Sequence, residues 1–111
     1  MASYLFRFGY TPESWAALIE HPEDRREMLA TRVFAFGGQL QGFWYSFGEH
    51  DGYALVELPD NVSAAAVMAA VSATGSLRHL EAIVLVTAED MVEALGRAQE
   101  FGYKQPGTLP G

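Results

Sequence analysis

The chain has 111 residues, 50% of them hydrophobic and 19% charged, which suits one folded domain and excludes a disordered chain. Its net charge is −7 with seven Lys and Arg residues, so we expect it to bind neither nucleic acid nor anionic membranes. It contains no cysteine, which excludes disulfides and thiolate metal or nucleophile sites.

The first third of the chain combines one strand signal with two helix signals. Residues 4–9 are short, aromatic and apolar, and they predict a strand. Thr11 and Pro12 predict a helix start, because Thr caps well and Pro suits the first helical position. Pro22 interrupts this helix and opens a second helical segment, which ends at residues 37–38, both Gly.

A β-hairpin is the clearest local feature of the sequence. Two strands, 40–47 and 53–58, flank a polar turn that ends in Asp-Gly. Side chains alternate along a strand, so a turn of two or four residues places one apolar set on a single face. That set, which we expect under the helices, is Phe43, Tyr45, Phe47, Ala54, Val56 and Leu58.

The second half contains one more helix-strand-helix series. Residues 62–74 form an Ala-rich helix that ends at Gly75, and residues 79–86 form a fourth strand. Thr87 caps a last helix that runs to about residue 101. We therefore predict a single domain over 1–102 and a flexible tail over 103–111.

This order of elements predicts an α+β protein. The series β-α-β-β-α-β is the ferredoxin-like pattern, here with an extra C-terminal helix. Right-handed crossovers place both main helices on one face of a four-stranded antiparallel sheet. The other face of the sheet then has no helix over it.

The helix-free face is the best candidate for a site, because it mixes large apolar groups with charges. Its candidate pocket or interface residues are Arg7, Trp44, Ser46, Tyr53, Glu57, His79 and Glu81. Two interpretations remain open. One is a homodimer interface in which Arg7, the only basic residue of the predicted strands, pairs with a Glu. The other is a ligand pocket in which Trp44 forms an aromatic wall.

His50 and Asp51 at the hairpin turn are candidate rim residues. They could form an acid-base pair, because His titrates near neutral pH. Turn chemistry alone also explains Asp and Gly there, and we favour a solvated turn. Glu49 and the histidines have no recognisable metal-ligand spacing, so we expect no metal and no cofactor.

The chain resembles the GYD domain family from about Tyr4 to Leu95. The resemblance rests on short motifs at the element boundaries, which are Tyr10-Thr11-Pro12-Glu13, Pro22, Gly37-Gly38, Gly48-Glu49-His50-Asp51, Pro59-Asp60 and Thr87-Ala88-Glu89-Asp90. It implies a ferredoxin-like fold that pairs into a dimeric α+β barrel, and it implies no established activity. The family usually carries Tyr before the turn Asp, where this chain has His50.

Two functions fit these observations. The first is a homodimeric barrel that binds a small, partly apolar or aromatic molecule, or serves as an assembly module. The second is an enzyme similar to cofactor-independent monooxygenases or isomerases, with Glu57, Glu81 or His79 as its base. The N-terminal apolar run has no basic region before it and is too short for a signal peptide, and no apolar stretch is long enough to span a bilayer. We therefore expect a cytoplasmic protein.

Overall fold

In the computed structural model, residues 1–107 are described, and they form four strands and four helices. The elements in chain order are β1 Ala2–Tyr10, α1 Pro12–Glu20, α2 Arg25–Ala35, β2 Gln39–Tyr45, β3 Gly52–Leu58, α3 Asn61–Ala73, β4 Leu77–Leu85 and α4 Ala88–Ala98. Residues 108–111 of the predicted tail lie outside the described residues. None of the four helices combines the length and the apolar character that crossing a membrane requires.

The four strands form one open antiparallel sheet in the order β2-β3-β1-β4. This order is consistent with the ferredoxin-like arrangement, in which each β-α-β unit leaves room for one strand between its own two. The predicted α+β class and antiparallel sheet are therefore confirmed. The two central strands, β1 and β3, contribute most of the core.

The helix starts follow from local capping, with one correction to the prediction. Thr11 caps α1, and its hydroxyl accepts a 3.1 Å hydrogen bond from the Ser14 N–H. The second helix does not open at Pro22, as predicted, but at Arg25. The reason is Asp24, whose carboxylate accepts from the two amides at positions 26 and 27, at 2.9 and 3.2 Å.

The core lies between the sheet and the helices α2 and α3. Its most deeply buried side chains are Tyr4, Val56 and Leu58, each less than 2% exposed. Val33 of α2 and Ala64 of α3 pack against this set from the helical layer. The Tyr4 hydroxyl donates a 2.5 Å hydrogen bond to the side-chain oxygen of Asn61, the first residue of α3. The helices therefore cover one sheet face only.

The connection between the two hairpin strands is longer than predicted, but it still has an even number of residues. Residues 46–51 connect β2 to β3, and Phe43 pairs with Ala54. An even-numbered connection keeps Phe43 on the core face, as we expected. The prediction was wrong for Phe47, which lies beyond the end of β2 and is fully exposed. A bulge between Leu40 and Gly42 lets both Leu40 and Phe43 pack against the core.

Helix α4 is not packed into this core. Every described residue from Val84 onward is exposed, including the apolar stripe of Met91, Val92 and Leu95. The radius of gyration is 18.6 Å and the longest dimension is 66 Å. A compact chain of this length has a radius of gyration of about 13 Å. The C-terminal region therefore extends away from the domain with an apolar surface uncovered.

Candidate functional site

The sheet face without helices, called the open face below, brings four of the predicted site residues into one row. Arg7 on β1 is the register partner of Tyr53 on β3 and of Glu81 on β4. Tyr53 in turn pairs with Trp44 on β2. Because directly opposed residues point to the same side of a sheet, these four side chains lie side by side across all four strands.

The charges in this row form an ion pair within the chain. The Arg7 guanidinium donates two hydrogen bonds to one Glu81 carboxylate oxygen, one of them from Nε at 3.1 Å. This contact holds the pKa of Glu81 below its ordinary value. Glu57 is not the partner of Arg7. It lies opposite Ser3, and its carboxylate accepts from the Gln41 amide.

The Arg7–Glu81 pair predicts a specific acid dependence of stability. A carboxyl whose pKa is lowered by folding stabilises the protein above its unfolded pKa, and this contribution is lost as pH falls through the folded pKa. We therefore expect Glu81→Gln to lower the urea midpoint near pH 7 and to have progressively less effect as the pH falls below about 4.5. In an Arg7→Met background, Glu81→Gln should leave the pH dependence of the urea midpoint nearly unchanged. The same Glu81→Gln effect in both backgrounds would contradict the pairing.

Apolar side chains lie beside the charged row on the open face. Leu5 on β1 pairs with Leu55 on β3 and with Ile83 on β4. Trp44 is 55% exposed, and its indole covers Gly42, where an added Cβ would lie 2.1 Å from the ring. The open face therefore presents a flat apolar surface with its main ion pair already formed.

Ser46 is predicted on this face but lies past the end of β2. Its N–H donates a 2.9 Å hydrogen bond to the Asp51 carbonyl, which closes the hairpin connection. Its hydroxyl makes only a long contact, at 3.5 Å, with the carbonyl of the next residue. The structure therefore gives Ser46 a place in the turn and not in the row with Trp44.

Two histidines meet at the hairpin end of the open face. His50 is 8% exposed, and its Nδ1 lies 2.8 Å from Nε2 of His79 on β4. The His50 ring also contacts the edge of Tyr53, with ring centres 5.9 Å apart. The preferred interpretation of His50 as a solvated turn residue was wrong, because the turn folds back over the end of the sheet. The contact is attractive when one of these two nitrogens carries a hydrogen and donates it to the other.

Asp51 is not the partner of His50. Its carboxylate accepts a 2.9 Å hydrogen bond from the Tyr10 N–H and lies 3.5 Å from the guanidinium of Arg78. Arg78 also donates to the Glu49 carbonyl and contacts the His79 ring, each at 3.1 Å. Asp51 thus ties the turn to β1 and β4.

Arg78 is the open-face residue that the sequence prediction missed. We expected β4 to begin at residue 79, and it begins at Leu77. Arg7 is therefore not the only basic residue in the strands. A register shift between Gly9 and Tyr10 brings Arg78 to the hairpin turn, and no local sequence pattern indicates such a shift.

A second candidate site lies on the other side of the sheet. An apolar pocket, called the inner pocket below, opens between the sheet and helices α2 and α3. Its cavity volume is about 110 Å³. Its walls come from Phe8 on β1, Phe43 on β2, Met28 on α2 and Val71 on α3, among others. The sequence analysis placed Phe43 under the helices and predicted no pocket there.

The few polar groups of the inner pocket are Tyr10, Arg25 and Ser76. The Tyr10 hydroxyl lies 3.3 Å from that of Tyr45, and its ring packs on Trp15 with centres 4.9 Å apart. Burial, followed by the contact with Tyr45, raises the pKa of Tyr10 well above its ordinary value. The Tyr10 hydroxyl therefore stays protonated and can donate a hydrogen bond at neutral pH.

The described residues contain no cluster of side chains suited to binding a metal ion. Within residues 1–107, no group of three or more His, Asp or Glu side chains is close enough together to hold an ion. The His50–His79 pair has Arg78 beside it, and a guanidinium repels a cation.

The antiparallel sheet, the one-sided helical layer and the two candidate surfaces define a small α+β domain. The family model of the GYD domain matches residues 4–95, so the chain belongs to the GYD domain family. This confirms the resemblance inferred from the boundary motifs. Comparisons with curated proteins and with solved structures found no match for the chain.

Proposed function

We propose that the protein is a homodimeric binding module, in which two open faces pack against each other to form a dimeric α+β barrel. The observation that supports this most is the combination of partly exposed apolar side chains with an ion pair formed within the chain on the open face. Leu5, Leu55 and Ile83 gain from being covered, at about 25 cal/mol for each Å² of apolar surface removed from water.

Covering the open face would be costly if it carried unpaired charges. Breaking a buried pair costs about 3–5 kcal/mol, because one charge is left without a partner. Arg7 and Glu81 already pair within one protomer, and Glu57 has the Gln41 amide. A second copy could therefore cover this face with the Arg7 and Glu81 charges paired and the Glu57 carboxylate hydrogen-bonded.

A second copy of the chain suits both uncovered surfaces. Two-fold symmetric interfaces use the same patch on both subunits, so a flat apolar row can pack on its own copy. The exposed stripe of Met91, Val92 and Leu95 on α4 offers a second apolar surface, continuous in sequence with β4. In the proposed dimer, α4 reaches across and packs on the partner protomer, which explains why no core residue comes from it.

The oligomeric state tests this proposal directly. We expect light scattering coupled to size-exclusion chromatography to give twice the mass of 12.2 kDa. Trp44, at 55% exposure, should then shift its emission to shorter wavelength as concentration rises, in a Trp15→Phe background. A monomer at every concentration, with an unchanged emission maximum, would refute the dimer.

The proposed ligand of the barrel is a small, partly apolar or aromatic molecule that contacts Trp44. A flat indole wall beside apolar side chains suits such a ligand. A fluorescence screen of aromatic and quinone-like compounds measures this binding through Trp44. Saturable quenching of Trp44 in the Trp15→Phe background supports it, and a module that only assembles copies of itself would give no response.

The second candidate is a cofactor-independent enzyme, and the His50–His79 contact favours it over a purely structural module. Glu81 is held by Arg7 and Glu57 by Gln41, so His79 is the better placed base among the three candidates. If the screen finds a ligand that is turned over, His79→Gln should lower kcat with little change in KM. Unchanged kcat would remove His79 as the base.

A further inference from the structure

We propose that the inner pocket binds an amphipathic organic anion, with its apolar tail between the sheet and the helices and its headgroup at Arg25. This site lies on the opposite side of the sheet from the open face. It therefore goes beyond the proposed dimer and does not depend on it.

The space in the pocket is the first reason. Protein cores are packed as densely as organic crystals, and they contain few voids larger than a water molecule. The inner pocket has a cavity volume of about 110 Å³, well above the roughly 30 Å³ that one water molecule occupies. An apolar tail would restore the contacts that Phe8, Val71 and Leu80 lack on their pocket side.

The position of Arg25 is the second reason. It is the first residue of α2, it lines the pocket, and its side chain is 32% exposed. Its one ion-pair partner among the described residues is Glu23, at 3.3 Å, and that side chain is 55% exposed. Exposed pairs of this kind contribute about 0–1 kcal/mol, so an anionic headgroup can displace Glu23 at little cost.

The polar groups of the pocket also define the ligand class. A guanidinium beside an apolar wall suits a single carboxylate or phosphate group, which it can bind through two parallel hydrogen bonds. The Tyr10 hydroxyl, which carries its proton, supplies a further donor near Arg25. No carboxylate lines the pocket, so nothing there favours a cationic ligand.

Titration calorimetry with three probes of equal chain length tests the proposal. We expect decanoate or decyl phosphate to bind one site per chain, and the stronger of the two identifies the headgroup. Decanol has the same tail and no charge, so its affinity should be lower than that of the anions by about tenfold or more. No heat from either anion, or equal affinity for decanol, would overturn the proposal.

Two variants and one control locate the site. Arg25→Gln should weaken anion binding about tenfold or more and leave decanol binding nearly unchanged. Arg26→Gln removes the same charge from the neighbouring exposed position and should bind the anions as the wild type does. Equal losses in the two variants would show attraction by net charge alone and would overturn the proposal.

Filling the pocket provides an independent test. Val71→Phe places a ring in the empty space and should abolish binding of all three probes. Its circular dichroism and oligomeric state should match those of the wild type, since Val71 is on the helix side of the sheet. Wild-type affinity in folded Val71→Phe would place the ligand elsewhere. A monomeric wild type that still binds decanoate would refute the dimer and leave this proposal standing.

Discussion

Replacing Leu55 by Glu should convert the proposed dimer into a monomer. Leu55 lies in the apolar row of the open face, where it is the register partner of Leu5. Two-fold symmetry would bury the new carboxylate twice, with no basic residue opposite it on β1. Each buried, unpaired charge costs several kcal/mol, so the dissociation constant should rise on the order of a thousandfold, which corresponds to about 4 kcal/mol. Light scattering over a concentration series measures it.

The matched control is Val62→Glu. Val62 is 77% exposed near the start of α3, on the helical side of the domain. The same new charge there should leave the dimer intact, and its place in the first turn favours a carboxylate. A Leu55→Glu protein that remains dimeric would show that the open face is not the interface. Dissociation by both variants would indicate a general effect of added negative charge.

Replacing Gly38 by Ala should destabilise the protein, because the added methyl group would clash with the backbone of β3. A Cβ at Gly38 would lie 2.2 Å from the Glu57 carbonyl oxygen and 2.9 Å from the Leu58 side chain. The nearest atom belongs to the backbone of β3 and cannot rotate away. Overpacking of this kind costs about 1–3 kcal/mol, and the urea midpoint should fall accordingly.

Gly96→Ala is the matched control for this methyl group. Gly96 lies inside α4, and an added Cβ there has no atom within 4 Å. Ala stabilises a helix interior by roughly 0.5–1 kcal/mol relative to Gly. The helical signal should rise and the urea midpoint should not fall. A Gly38→Ala protein as stable as Gly96→Ala would mean that β2 and α2 do not approach β3 as closely as described.

The element types and most boundaries were predictable because they depend on local chemistry. The sequence predicts helix starts at Thr11 and at Thr87, because both residues are good caps. Both predictions are confirmed, since these residues are the N-caps of α1 and α4. The face assignment of Phe43 was also predictable, because alternation along a strand depends only on the parity of the turn. Asp24 shows the limit of this reasoning, because both Pro22 and Asp24 are acceptable helix starts and only the cap geometry distinguishes them.

The partners of the candidate site residues were not predictable in the same way. Arg7 could have met either Glu57 or Glu81, and the register of β1 against β4 selects Glu81. His50 is remote from His79 in sequence, and they meet because the turn folds over the end of β4. The roles of these residues in binding or catalysis stay predictions.

The sequence by itself determined the α+β class, the helix caps at Thr11 and Thr87, the alternation of the hairpin and membership of the GYD family, because each depends on nearby residues or on motifs in order. Only the tertiary structure decided which charges pair on the open face, that α4 is left uncovered and that the inner pocket exists. These features depend on strand register and on how closely the helices approach the sheet. Both are set by contacts between distant segments, and no local pattern specifies them.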